Sequence, residues 1–349
     1  MPTKILNSPF NKKGILKAFK FGGGANTIIA NDDGSGQGYT INSGGGNDTV
    51  TGSINDDIIT GGTGSDDITG GLGNDTIFGG QDAAGADAAK GKNAILVNNL
   101  YGDFGDPSGH SLAAGASLTT GNDTIVGGNG GNNNLYGDNF GTLSLGAGST
   151  FIGGNDTMTG GSGLNGEFGF NNLIGDTQNI FAAGGSGASF TGGSDTLTGG
   201  SGANVSNNLV GDVVSVGNTD NFQGGADTLI SGQDANDIMI GDWSSDPTGN
   251  AVGGADTFVF GSSNGRDLIA DFRSGEDTID LSATGLVWTD LDTNGIVGLD
   301  AGDTHVSIVN GSTVIDLGGA AGTGAGADLV TFQNVTGLIE TDFDFGLIV

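Results

Sequence analysis

Residues 61–78 read GGTGSDDIT followed at once by GGLGNDTIF, one nine-residue phrase written twice: G-G-x-G-x-D-x-U-x, where U is a large apolar residue. A period that short, written in Gly and Asp, predicts a stack of repeated turns in place of a globular fold. Glycine admits the positive-φ geometry of a tight turn and lets neighbouring backbones approach closely. The Asp ends the turn and offers carboxylate oxygens. The x-U-x tail predicts a three-residue strand whose middle side chain points inward. Stacked turns then present carbonyl and carboxylate oxygens to the gap between them, an oxygen-rich cage that suits calcium.

Working outward, the phrase extends over residues 43–79 as four consecutive nonapeptides, with Asp48, Asp57, Asp66 and Asp75 as turn carboxylates. Val50, Ile59, Ile68 and Ile77 form the expected inward column, and the second copy carries Asn55 where a Gly is expected. These residues resemble the RTX family, whose Gly-Asp nonapeptides wind into a calcium-filled parallel β-roll. The resemblance implies an all-β fold, a right-handed parallel β-roll (a β-solenoid) holding several calcium ions, in a protein that is secreted.

After Gly80 the register changes and the repeat lengthens to about three dozen residues. Each unit opens with a strand such as GNDTI, makes a tight GG turn, and runs into a second strand ending in Gly-Asp: NNLYGD (98–103 and 133–138), NNLIGD (171–176), NNLVGD (207–212) and NDIMIGD (236–242). The opening acids are Asp123, Asp156, Asp195, Asp227 and Asp256, read as ligands together with Asp237 and, in the block that follows, Asp267 and Asp277. One coil per unit is expected, with two short strands, one tight turn and one enlarged turn. Five residues before each opening acid stand Leu118, Phe151, Phe190, Phe222 and Ala251, and equal register predicts one stacked apolar column with core-like packing. Asn98, Asn133, Asn171 and Asn207 sit where a turn Asp would be, either as weak or empty calcium sites or, the favoured expectation, as a hydrogen-bonded Asn ladder.

The two ends read differently. Residues 1–21 hold five of the nine basic residues, and Ser8-Pro9 predicts a short helix with Ile15, Leu16 and Phe19 on one face. The expectation is a basic arm or cap, followed by a nonapeptide roll (22–80), long-loop roll units (81–252) and a C-terminal β cap (253–349). ADTFVFGSSNGRDLIADFRSGEDTIDLS (255–282) resembles the block that follows the roll in serralysin-type secreted proteases, without their H-E-x-x-H zinc helix. DLDTNGIVGLDAGD (290–303) begins like an EF-hand loop, with Asp290, Asp292 and Asn294 at positions one, three and five, but Ala301 stands at position twelve. Calcium there is weighed evenly against an Asx-rich turn. The closing TDFDFGLIV resembles the uncleaved C-terminal signal that RTX proteins present to a type I secretion apparatus.

Composition narrows the function. A formal charge of −31 disfavours a nucleic-acid partner. With no cysteine, no disulfide can staple the chain. No apolar run reaches the roughly 20 residues needed to cross a bilayer, so membrane insertion is not expected. His110 and His305 stand apart without a partnering motif, and the bases outside the N-terminal segment are Lys90, Lys92, Arg266 and Arg273, so no catalytic set is evident. Thr49, Thr76, Thr124, Thr157, Thr196, Thr228 and Thr257 are expected to share one outward register, an array that could order water on ice but equally suits any strand. The expected function is that of a non-catalytic, extracellular calcium-binding protein that self-associates into a cell-surface layer, matrix or fibre. The alternative is a soluble effector or adhesin that binds a polysaccharide, host or ice surface.

Overall fold

The computed structural model describes residues 3–9, 18–80, 96–163, 168–182, 187–217, 221–244 and 250–346. Among these residues two long sheets face each other. One has 13 strands and runs from Thr3–Leu6 through Thr49–Thr51, Val97–Tyr101 and Asn236–Ile240 to Arg266–Ile269 and Leu329–Phe332. The other has 11 and runs from Ala18–Lys20 through Ile58–Thr60, Thr124–Val126 and Thr257–Val259 to Phe343–Asp344. Successive coils place one strand in each sheet, and the pairings along the roll are parallel and in register, as Thr76–Phe78 is with Thr124–Val126 and that strand with Thr157–Thr159. The chain is a parallel β-roll.

Period-two alternation sets the core. Val50, Ile59, Ile68, Ile77, Ile125, Met158, Leu197, Leu229 and Phe258 are each the middle residue of a three-residue strand, and all are buried between the sheets. The inward column is as the nonapeptide phrase requires. Of the seven threonines expected in one register, Thr76, Thr124, Thr157, Thr196, Thr228 and Thr257 do stack. Thr49 does not, because consecutive nonapeptides alternate between the sheets and its strand pairs with Thr27 and Asp67 in the other one.

The long units depart from a simple enlarged turn. Beyond each Gly-Asp the chain runs out along a strand such as Asn139–Leu145, and returns along one such as Thr150–Ile152. Outgoing strands stack into a four-stranded parallel sheet and returning strands into a five-stranded one. These form a lateral wing with its own core of Leu143, Leu145, Phe151, Ile180, Phe190, Val213, Phe222 and Trp243. The expected apolar column is present, with Leu118, Phe151, Phe190, Phe222 and Ala251 paired in that order. Phe151 and Phe190 stack at 5.4 Å between centroids and Phe190 and Phe222 at 5.0 Å, with Trp243 edge-on beyond. The coil therefore has four strands, since Phe and Leu at fixed height can bury one another once several coils are stacked.

At the N-terminal end Thr3–Leu6 pairs with Thr27–Ala30 and Ala18–Lys20 with Thr40–Asn42, so both described flanks of the basic segment are strands of the first coil. Phe19 lies in the second of these and packs against Tyr39 at 5.9 Å. The rest of the expected helix, with Ile15 and Leu16, falls outside the described residues, as do Lys90 and Lys92. At the other end an antiparallel hairpin, Val306–Val309 with Ser312–Asp316, turns through Asn310 and Gly311 at φ 54° and 83°. Asn-Gly suits such a turn because both residues tolerate positive φ. The hairpin joins the long sheet through Leu329–Phe332, and Ile315 of the hairpin, Leu317 just after it and Val330 of that strand belong to the roll core.

Candidate metal centre

The turn acids form two buried columns, one along each sheet edge. In the column beside the 11-stranded sheet, each backbone N–H donates to the carboxylate one coil further on. Asp57 donates to Asp75, Asp75 to Asp123, and Asp123 to Asp156, each at 2.6 Å. Asp156 to Asp195 (2.6 Å), Asp195 to Asp227 (2.7 Å), Asp227 to Asp256 (2.9 Å) and Asp256 to Asp277 (3.1 Å) complete it. The coil length changes from 18 to 48 to 33 residues along this series without breaking the ladder. In the other column Asn26 donates to Asp48 (2.7 Å), Asp48 to Asp66 (3.0 Å) and Asp66 to Asn98 (3.1 Å). The column then continues as amides, Asn98 to Asn133 (3.1 Å), Asn133 to Asn171 (2.8 Å) and Asn171 to Asn207 (2.7 Å), and ends in Asp237 and Asp267. The Asn ladder exists, and each of Asn133, Asn171 and Asn207 also holds a backbone N–H and C=O of the adjacent tight turn. A neutral amide donates and accepts at once, so this stretch is satisfied by protein groups alone.

The carboxylate column is not. One oxygen takes the N–H; the other, Oδ2 of Asp75, Asp123, Asp156, Asp195 and Asp227 here and of Asp48 in the second column, is buried without a hydrogen-bond partner among the described residues. A buried charge needs an opposite charge beside it. Burial, with neighbouring Asp57 and Asp103, pushes Asp75 up to about 9, and burial with Asp103 and Asp75 pushes Asp123 up to about 10. Asp156, Asp195 and Asp227 rise well above the ordinary carboxylate range for the same primary reason. Burial also lifts Asp256 to about 10, Asp267 to about 8, Asp277 to about 7 and Asp237 to about 6.

These free oxygens meet carbonyls. A Cβ added to Gly102 would lie 1.9 Å from both Asp123 Oδ2 and the Gly137 oxygen. One on Gly137 would lie 1.8 Å from Asp156 Oδ2 and 1.9 Å from the Gly175 oxygen. Gly175 and Gly211 repeat the arrangement with Asp195 and Asp227, and Gly70 does so in the nonapeptides with Asp75. Only glycine lets the coils approach this closely, and carboxylate and carbonyl oxygen converge beside it. An all-oxygen donor set of this kind suits a hard cation such as calcium. Asp57 differs, since its oxygens are taken by backbone N–H groups of Ser53 and Tyr39 in the imperfect second nonapeptide.

Not every expected ligand joins a column. Asp290 caps its own short helix, Trp288–Leu291, by accepting from Val287 N (2.9 Å). Asp292 accepts from Gly295 N (2.7 Å) and Asn294 from Ile296 N (2.7 Å). Among the described residues these three side chains close local turns and do not meet at one point. Conversely, the acids of the Gly-Asp pairs were not read as ligands. Asp103, Asp138, Asp176, Asp212 and Asp242 are buried at the waist where roll meets wing. Each accepts from the N–H of a glycine in the returning corner: Gly121 (2.9 Å), Gly154 (3.2 Å), Gly193 (3.0 Å), Gly225 (2.8 Å) and Gly254 (2.5 Å). The signal was their recurrence after Gly at the end of every second strand.

Residues 40–67, 51–83, 153–167 and 191–206 match the RTX calcium-binding nonapeptide repeat. The last two segments fall on returning corners of long units, so the repeat persists where the nonapeptide period has gone. No curated protein and no solved structure matches the chain. The chain carries RTX repeats wound into a β-roll.

Proposed function

We propose that this is a secreted, non-catalytic protein that folds around calcium outside the cell and assembles into a surface layer, matrix or fibre. The observation that carries the calcium part is the row of buried Oδ2 atoms of Asp75, Asp123, Asp156, Asp195 and Asp227, unpartnered among the described residues and each converging with a glycine carbonyl. Asp48, Asp66, Asp75, Asp123, Asp156, Asp195, Asp227 and Asp256 would hold the ions. Bound calcium supplies positive charge that lets apposed carboxylates share one buried row, so metal binding and folding are one event. Such a chain stays extended where calcium is scarce and folds where it is abundant, which suits export through a type I apparatus. Among the described residues no helix is long and apolar enough to cross a membrane.

The assembly part rests on the ends. Thr3–Leu6 and Ala18–Lys20 are the outermost described strands at one end, Val306–Val309 with exposed Ile308 and Val309 is the outermost strand of the 13-stranded sheet at the other, and exposed strand edges favour association. Titrating the purified chain with calcium, with circular dichroism reading the fold and light scattering the assembly, tests both parts. β structure that persists in chelator refutes the calcium reading. A monomer at saturating calcium refutes the assembly reading.

A further inference from the structure

The waist between roll and wing holds a second row of acids that the nonapeptide phrase does not include. In this row Asp138 Oδ2 and Asp176 Oδ1 both border Gly153, and Asp176 Oδ2 and Asp212 Oδ1 both border Gly192. Two carboxylates are both acceptors, so each such pair needs a proton or a cation between its members. All are almost fully buried, and Asp103 Oδ1 and Asp212 Oδ2 have no hydrogen-bond partner among the described residues.

Glycines mark where carboxylates of successive coils come together. A Cβ on Gly153 would meet Asp176 Oδ1 at 1.7 Å and Asp138 Oδ2 at 2.9 Å. On Gly192 it would meet Asp212 Oδ1 at 1.8 Å and Asp176 Oδ2 at 2.8 Å, and on Gly224 Asp242 Oδ1 at 2.3 Å and Asp212 Oδ2 at 2.5 Å. Each point is thus flanked by oxygens from two successive coils. One coil later the same point, beside Gly253, is flanked by Asp242 Oδ2 at 2.2 Å and by Arg273 Nη1 at 1.9 Å. The guanidinium binds Asp242 at 2.5 Å and is held over the Trp243 ring at 4.8 Å. At the last position of the row, the protein supplies a cation of its own.

We propose that the Gly-Asp row is a second line of divalent-cation sites, with Asp138, Asp176, Asp212 and Asp242 bridged in successive pairs by calcium and Arg273 standing in for the metal at the end. The proposal rests on the calcium reading of the turn columns but uses different residues. Among the described residues no three acidic or histidine side chains form a metal cluster; each proposed ion would have two carboxylates and would complete its shell with other oxygens. The row then acts as a zip that closes the waist of every long coil.

Calcium bound per chain, measured by equilibrium dialysis and elemental analysis on the full-length protein, tests this. Asp176→Asn/Asp212→Asn keeps shape and hydrogen-bond acceptance but removes charge at the points beside Gly153, Gly192 and Gly224. It should lose about two to three ions relative to wild type, because calcium affinity follows ligand charge. An unchanged ion count overturns the proposal and leaves the turn columns standing. A wild-type chain that binds no calcium overturns this inference together with the reading it rests on. Should the double variant fail to fold, Arg273→Gln takes its place: one additional ion supports the proposal, and an unchanged count overturns it.

Discussion

The roll stacks on carboxylates and aliphatic side chains, the wing on aromatic rings. Both repeat with every long coil, and both are parallel and in register. Yet the described strands of the wing, from His110–Leu112 to Asn250–Val252, contain no Asp or Glu, while the roll buries an acid at each corner from Asp57 to Asp277 beside its 11-stranded sheet. Phe151, Phe190 and Phe222 gain by touching their own equivalents; Asp123, Asp156 and Asp195 repel theirs. Stacking like on like is favourable for rings and unfavourable for charges. The wing can therefore hold its register unaided, and the roll needs an added partner.

The largest effect should come from removing that partner. In chelator the β spectrum should collapse at neutral pH, and acid should bring part of it back. In the metal-free chain Asp75, Asp123 and Asp256 titrate at about 9, 10 and 10, against about 3.9 for Asp in an unfolded chain, so folding takes up protons. The stability this contributes is fully present below about pH 4 and is lost as pH rises through those higher values. Circular dichroism of the chelated chain from about pH 8 down to about pH 4.5 should thus show β signal growing with acidity. A signal that falls with acid would break the comparison.

Next in size is the wing core. Phe190→Ala should cost about 3–5 kcal/mol of unfolding free energy, by loss of a buried ring between two others. Its bound calcium should be unchanged, measured by denaturant titration beside ion counting. Loss of ions would mean that wing and roll are not separate in chemistry. Asn171→Ala probes the stretch of roll that uses amides. It strips the buried N–H and C=O of Gly161 of their partners and should cost about 2–3 kcal/mol, again with no change in ions. The smallest effect is graded. Asp66→Asn/Asp75→Asn should raise the calcium midpoint of folding about threefold to tenfold, since ligand charge tunes affinity. Asp106→Asn, on an exposed loop where the carboxylate accepts from Ser108, should leave the midpoint in place. Equal shifts from the two variants would remove the distinction between corner and loop acids.

What the sequence disclosed follows the same division. The nonapeptides were legible because a nine-residue period leaves no freedom: Asp66 and Ile68 can only be corner and core. The ring column was legible too, since Phe151, Phe190 and Phe222 keep a constant offset from the next acid. That those rings lie on strands of a wing was not, because segments such as Ser189–Thr191 are three residues long inside Gly-Ala-Ser-rich stretches and only pairing with other coils makes them strands. The Gly-Asp acids were visible as a pattern but looked like strand endings. Their role depends on Asp138 meeting Gly154 and Asp176, contacts set by how a coil of 33 or 39 residues closes. At Asp290, Asp292 and Asn294 the spacing matched a ligand loop, and the first turn of a helix claimed the leading acid.

The ladder from Asp57 to Asp277 joins each coil to the next by the same bond, whatever length of chain lies between them. Span and cross-section are therefore independent: a coil can be copied or deleted whole, and the junction that remains is one the molecule already makes. A wing strand can lengthen or shorten between the two corners without disturbing either. Such a molecule is a ruler whose graduations are identical, so descent by unequal duplication would change its reach while every joint stayed the same.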